Sequence, residues 1–294
     1  MTLLSAHWAL RSLGMRIVVT SAGGANGNGR GTLLAFDLNG RSLGPFAPDA
    51  GILDPRGLHL HPDGRHLYVN NGDDRVLLLD ERGAVVAATA QIKGLNPGGG
   101  FMSPDGHYCV GSRTLRTIVA FSPDLSGPAV PLLPTDVVAF PRGCAFSPQG
   151  GFLLAEGATG TSSAAAGVIL SISPPPDFRT TRLVDDEDLS PLDLTLAPNG
   201  NIVTSSEVPF GSQDAVTSVR EYEARTGKLV RVFRPDGSVG FQQPRGLRFA
   251  PDGRLFCVAR DEVVAFDFTA TKMIGAAVRL SRLHGQALEF FPRT

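Results

Sequence analysis

The chain of 294 residues is short of several things that would place it in other structural classes. It has only three cysteines, Cys109, Cys144 and Cys257, an odd number lying within apolar runs. This argues against a disulfide framework and predicts buried, reduced thiols in a cytoplasmic protein. Neither sign of charge is in excess: 27 Lys and Arg stand against 28 Asp and Glu, so there is no global attraction to nucleic acid or to an anionic membrane. Aromatic residues make up 7% of the chain and are not interleaved with basic ones, as a platform for stacked bases would require. No apolar run is long enough to span a bilayer. The first stretch, MTLLSAHWALRSLG, is mildly apolar but broken by His7 and Arg11, and it carries no basic leader. Residues 1–14 therefore read as a tail ahead of a single domain over 15–294, with an alternative start at Met15 or a poorly formed export signal as competing readings.

What the chain does have is turns and repetition. Its 35 Gly and 22 Pro punctuate short apolar runs, the pattern of many strands joined by tight connections. The stretch PRGLHLHPDGRHLYVNNGDDRVLLL, Pro55 to Leu79, reads as strand, Pro-Asp-Gly turn, strand, turn, strand, and ERG and AVVAATA supply the next turn and a fourth strand. The same phase returns as NPGGGFMSPDGHYCVGS, PRGCAFSPQGGFLLAE, SPLDLTLAPNGNIVTSS and QPRGLRFAPDGRLFCVAR, with a partial copy, HGQALEFFP, at the end. The turn proline falls at Pro62, Pro104, Pro148, Pro198, Pro251 and Pro292, a period of about 40 to 53 residues. Three N-terminal strands, RIVVTS, TLLAFDL and SLGPF, lack an opening strand, and the C-terminal fragment supplies one. The prediction is all-β: a six-bladed β-propeller whose ring is closed by the C-terminal strand joining the N-terminal three, which leaves no open edge. A β-sandwich would not repeat one motif in register from end to end.

The motifs PRGLHLHPDGRHLYV and PDGRLFCVAR resemble NHL repeats. Over nearly its whole length the chain resembles the SMP-30/gluconolactonase and strictosidine-synthase-like group of six-bladed propellers, and GHYCVGS resembles the third-blade pattern of the SMP-30 group. The resemblance implies ligand binding at the mouth of the central channel, where lactonases of that group hold a divalent metal with carboxylates and amides. Aligning the repeats on the turn proline puts Arg56, Gly98, Arg142, Leu192, Arg245 and Gln286 at that mouth. Where the group has Glu, Asn, Asn and Asp ligands, this chain has Gln286, Gly98, Arg142 and Leu192, and an arginine cannot ligate a cation. Asp193 is one place out of phase and reaches inward only if its strand is bulged. No cofactor is predicted, although calcium and zinc stay open, the latter through a site assembled across blades.

Arg56, Arg142 and Arg245 come from alternate blades, an arrangement suited to a carboxylate or phosphate. Each could equally pair with a neighbouring carboxylate or carbonyl. A second ring falls at the ends of the second strands: Ser21, Asn71, Ser112, Glu156, Ser206 and Arg260. Glu156 is the candidate general acid or base there, or else an ion-pair partner of the arginines; Glu207 and Asp73 are weaker candidates.

Three long second-to-third-strand loops, 22–31, 157–167 and 207–217, are expected to wall the pocket, with Phe210 as an apolar contact and the backbone around Gly23 to Gly31 as an anion nest. The acidic run from Asp185 to Asp188 reads as a solvated loop, and the histidines show no zinc spacing. No nucleophile elbow is present.

The expected partner is a small anionic molecule bound by Arg56, Arg142, Arg245, Gln286, Asn71 and Phe210, with Glu156 catalytic in a hydrolase or lyase that does not use the lactonase metal site. The alternative is a non-catalytic NHL-type scaffold for another protein. Substrate and oligomeric state are not legible.

Overall fold

A computed structural model describes residues 14–22, 31–134, 137–147, 150–157, 167–174, 176–186, 188–207, 218–233, 241–279 and 284–293, with the side chains of 272–279 excepted. They form six four-stranded antiparallel sheets, the blades of a propeller. Blade 1 is assembled from both ends of the chain: Gly285–Pro292 is innermost, followed by Met15–Ser21, Thr32–Phe36 and Ser42–Phe46. The closing pair is in register at Ile17↔Phe290 and Val19↔Leu288. Blades 2 to 6 have inner strands Gly57–Leu60, Pro97–Met102, Pro141–Phe146, Pro191–Leu196 and Leu247–Phe249, each followed in order by its own second, third and outer strands. The tail, residues 1–14, lies outside the described residues except for Gly14. Among the described residues no helix is long and apolar enough to cross a membrane.

The hydrophobic pattern follows from the stacking of blades. A second strand such as Leu67–Asn71 is covered on both faces and is buried at every position, whereas the outer strand Val85–Ala88 is mostly exposed. Both faces of a middle strand must therefore be apolar, which is why these runs are continuous rather than alternating. The core divides into six clusters, one at each blade-to-blade interface. One of them joins Ile17, Val19 and Phe36 of blade 1 to Phe256, Val258 and Val263 of blade 6, so the ring is sealed by packing as well as by the shared sheet. The Pro-Asp-Gly and Pro-Asn-Gly turns between inner and second strands place Gly64, Gly106, Gly200 and Gly253 at φ of 70°, 88°, 84° and 86°. This region is open to glycine at little steric cost, which accounts for its return in each copy.

Three inner strands shift register at their entry, between Pro97 and Gly100, Pro141 and Cys144, and Pro191 and Leu194. Such a shift re-aims side chains near the channel. It meets the condition that the sequence sets for Asp193, and Leu192 and Asp193 both face the central cavity.

Candidate ligand site in the central cavity

All six residues aligned at the channel mouth line one cavity of about 250 Å³. Arg56, Arg142 and Arg245 come from the entries to blades 2, 4 and 6, and Gly98, Leu192 and Gln286 from the entries between them. Asp54, Arg113, Asp193 and Arg248 complete the polar lining.

The mouth is a layer of guanidinium groups with too few carboxylates. Arg56 donates from Nε and Nη2 to Asp54 Oδ2, at 2.9 and 2.6 Å, and from Nη1 to Asn96 Oδ1. Arg142 and Arg245 share Glu207, whose two oxygens lie 3.3 and 3.7 Å from them, and Arg245 also donates to Gln286 Oε1. Arg113, from the turn after the second strand of blade 3, donates from Nη2 to Asn96 Oδ1 at 2.8 Å and has no carboxylate partner among the described residues. Nε of Arg113 and Nε of Arg142 are buried without a hydrogen-bond acceptor among the described residues. Burial, followed by the fields of Arg56 and Arg142, lowers the Arg113 pKa to about 10. Four guanidinium groups thus face two carboxylates, an excess of two positive charges among the described residues.

The floor is built the other way. Arg248, three residues beyond Arg245 on the inner strand, sits between Asp193 Oδ2 at 3.2 Å and Glu289 Oε2 at 3.1 Å and donates to the Leu58 carbonyl at 2.9 Å. Burial alone would lower its pKa, but Glu289 and Asp193 outweigh that and raise it. Asp193 also accepts from the backbone N–H groups of Leu247 and Leu194, at 3.1 and 3.0 Å. Its pKa is nevertheless raised, because burial outweighs Arg248 and these donors. A Cβ at Gly143 would fall 2.5 Å from Asp193 Cα and 2.6 Å from Oδ1, so glycine there is what allows the carboxylate in. His59 lies 3.7 Å from Glu289 and stacks on Tyr108. Its side chain keeps 25% of its surface exposed. Enclosure by protein, with Arg248 nearby, still brings its pKa down to about 3, so it is neutral near pH 7.

The second ring has a different role from the one its chemistry suggests. Asn71 Oδ1 accepts from Leu53 N at 2.7 Å, Ser112 Oγ donates to the Leu95 carbonyl at 2.6 Å, and Ser206 Oγ accepts from Ser190 N at 3.0 Å. Glu156 Oε1 accepts from Ala139 N and from Phe140 N. In each of these blades the last residue of the second strand ties down the chain entering that blade's inner strand. Glu156 and Asn71 are not among the residues lining the cavity, and the Glu156 carboxylate accepts from backbone donors with no ion pair to an arginine among the described residues. Arg56 is paired by Asp54, and Arg142 and Arg245 by Glu207, which follows Ser206 at the end of the second strand of blade 5.

The acidic run is only partly a solvated loop, since Asp186 accepts from Arg220 at 2.6 Å and from the Tyr222 hydroxyl at 2.8 Å. Phe210, Glu187 and nearly all of the three long loops lie outside the described residues. The sequence shows no zinc spacing, but folding brings ligand atoms of His61, Asp63 and His66 within 4.8 Å of one another at the turn ending the inner strand of blade 2, far from the mouth.

The lactonase metal arrangement does not fit. Its ligand positions hold Gln286, Gly98, Arg142 and Leu192, and the nearby carboxylates Asp193 and Glu289 are both engaged by Arg248. Arginine at the ligand positions repels a cation instead of binding it.

No family model matches the chain, and no curated protein matches it. Among solved structures, a nidogen/laminin complex aligns with a TM-score of 0.71 at 13% identity, over 94% of this chain and 98% of the other. A putative gluconolactonase aligns at 0.58 and 15%, over 79% and 80%. Streptogramin B lyase aligns at 0.52 and 16%, over 76% and 67%. At such identities the likeness is one of fold, and the chain is a six-bladed β-propeller whose fold is shared by a chain of the nidogen/laminin complex, the putative gluconolactonase and streptogramin B lyase.

Proposed function

We propose that the protein binds a small organic anion in the central cavity and acts on it as a hydrolase of an ester or lactone, or as a lyase, without the lactonase metal arrangement. The observation that carries this reading is Arg113, half-buried beside Arg56, Arg142 and Arg245 with its Nε enclosed and no carboxylate of its own among the described residues. Burying an arginine beside other arginines is unfavourable unless an anion arrives to complete the set. Arginine forks then supply directional, charge-assisted hydrogen bonds to a carboxylate or phosphate.

Asp193 takes the acid or base role that the sequence suggests for Glu156. It lines the cavity, is fixed by Arg248, and its raised pKa brings it closer to the range useful for proton transfer. In hydrolysis Asp193 accepts a proton from the attacking water as its oxygen bonds to the carbonyl carbon, and returns that proton to the leaving oxygen as the C–O bond breaks. In elimination it accepts the proton from the carbon next to the breaking C–O bond; the C–H electrons form the double bond, the C–O electrons leave with the oxygen, and that oxygen takes up the proton from Asp193 or from water.

The test is ligand-induced thermal stabilisation across small carboxylates, phosphates and lactones, with and without calcium or zinc. At least one anion is expected to stabilise the wild type, and Arg142→Ala to lose about tenfold or more in affinity for it. Asp193→Asn should abolish turnover of a stabilising substrate while retaining its binding. If no anion stabilises the wild type, or Arg142→Ala responds equally, the reading fails.

A further inference from the structure

The mouth and the floor of the cavity carry opposite charge balances, and the difference bears on what kind of anion belongs there. At the mouth Arg56, Arg113, Arg142 and Arg245 are met by Asp54 and Glu207 alone among the described residues. At the floor a single Arg248 is met by Asp193 and Glu289. A ligand with one negative charge would leave one guanidinium at the mouth without a counter-charge. A ligand with its charges at opposite ends would set one against the acidic floor.

We propose that the cavity selects a compact organic dianion, with both negative charges on one end of the molecule or close together, held at the mouth with Arg113 as the residue that makes two charges preferable to one. This rests on the anion-binding reading above and narrows it to phosphate monoesters or short dicarboxylates. The cavity, at about 250 Å³, has room for a molecule of that size. Asn96 is part of the device. Its Oδ1 accepts from both Arg56 and Arg113 and so holds two like charges together without neutralising either. An aspartate at this position would have neutralised one of them, and the left-handed backbone of Asn96, at φ 40°, is open to aspartate as well as to asparagine.

Calorimetric titration at pH 8 separates the charge states with matched probes. Methyl phosphate, whose second ionisation lies near pH 6, is compared with dimethyl phosphate, and malonate with monomethyl malonate. In the wild type the dianion of at least one pair should bind about tenfold tighter than its monoanion. The pair that discriminates tells whether the site is built for phosphate or for dicarboxylate. Arg113→Gln should reduce the discrimination to about threefold or less, because it weakens dianion binding more than monoanion binding. If Arg113→Gln does not fold, Asn96→Asp serves instead, since it removes one net charge by adding an acid and should cut the dianion preference in the same way. Equal binding within each pair overturns the dianion inference and leaves anion binding standing. Binding of none of the four removes both. Discrimination that persists in the folded variants overturns the role given to Arg113.

Discussion

Two rings of side chains, one at the start of the inner strands and one at the end of the second strands, lie at the same end of the propeller and handle polarity in opposite ways. In the second ring Asn71, Ser112, Glu156 and Ser206 each meet backbone groups of the segment entering their own blade, so four blades solve one local problem with three residue types. In the first ring Arg56, Arg142 and Arg245, joined by Arg113, outnumber the carboxylates that meet them. A structural ring tends to be satisfied from within, because an unmet buried polar group costs about 1–3 kcal/mol. A ring left short of partners is one whose partner comes from outside.

The largest effect expected on this comparison is in the second ring. Glu156→Ala removes the acceptor of Ala139 N and Phe140 N, and urea unfolding should show a loss of about 2 kcal/mol with anion affinity unchanged within about twofold. A loss of binding with normal stability would place Glu156 back among the ligand-contacting groups. Arg142→Ala should do the reverse. Stability should change by less than about 1 kcal/mol, because an ion pair with Glu207 is lost while repulsion from Arg245 is relieved, and anion affinity should fall about tenfold. A smaller effect, about threefold in affinity, is expected for Gly157→Ala, which changes no charge. The added Cβ would lie 2.2 Å from Arg142 Nε and must push the guanidinium aside. Smaller still, and graded, raising sodium chloride from about 50 to 500 mM should weaken anion binding while leaving the urea midpoint of the Glu156 comparison nearly unmoved, since screening acts on the charged mouth and hardly at all on hydrogen bonds to backbone.

The architecture was legible because the turn proline and its glycine recur at a propeller's period, and the same alignment located Arg56, Arg142, Arg245 and Gln286 at the cavity. The chemistry of the second ring was not legible. Whether Glu156 faces an arginine or a backbone N–H depends on the path of the chain between blades, and no local pattern in AFPRG states it. Arg113 was missed for a reason of phase. The aligned ring took the ends of the second strands, yet the next residue is the one that meets the arginine ring: Arg113 lines the cavity in blade 3, Glu207 pairs with Arg142 and Arg245 in blade 5, and in blade 4 Gly157 leaves room for Arg142. Moving the alignment one place would have put Arg113 and Glu207 on one ring. Asp193 was legible conditionally, since the two-residue periodicity of a strand points it away from Leu192, and only the register shift after Pro191 brings both to the channel. Phe210 and the proposed nest around Gly23 lie outside the described residues and add nothing to either side.

The measurement that bears most directly on the cavity is the position of an anion in it. In a crystal soaked with selenate, whose anomalous signal identifies it, the account predicts a peak within hydrogen-bond reach of Arg113 and of at least one of Arg56, Arg142 and Arg245. A cavity without selenate, while peaks form on exposed arginines elsewhere, would contradict it.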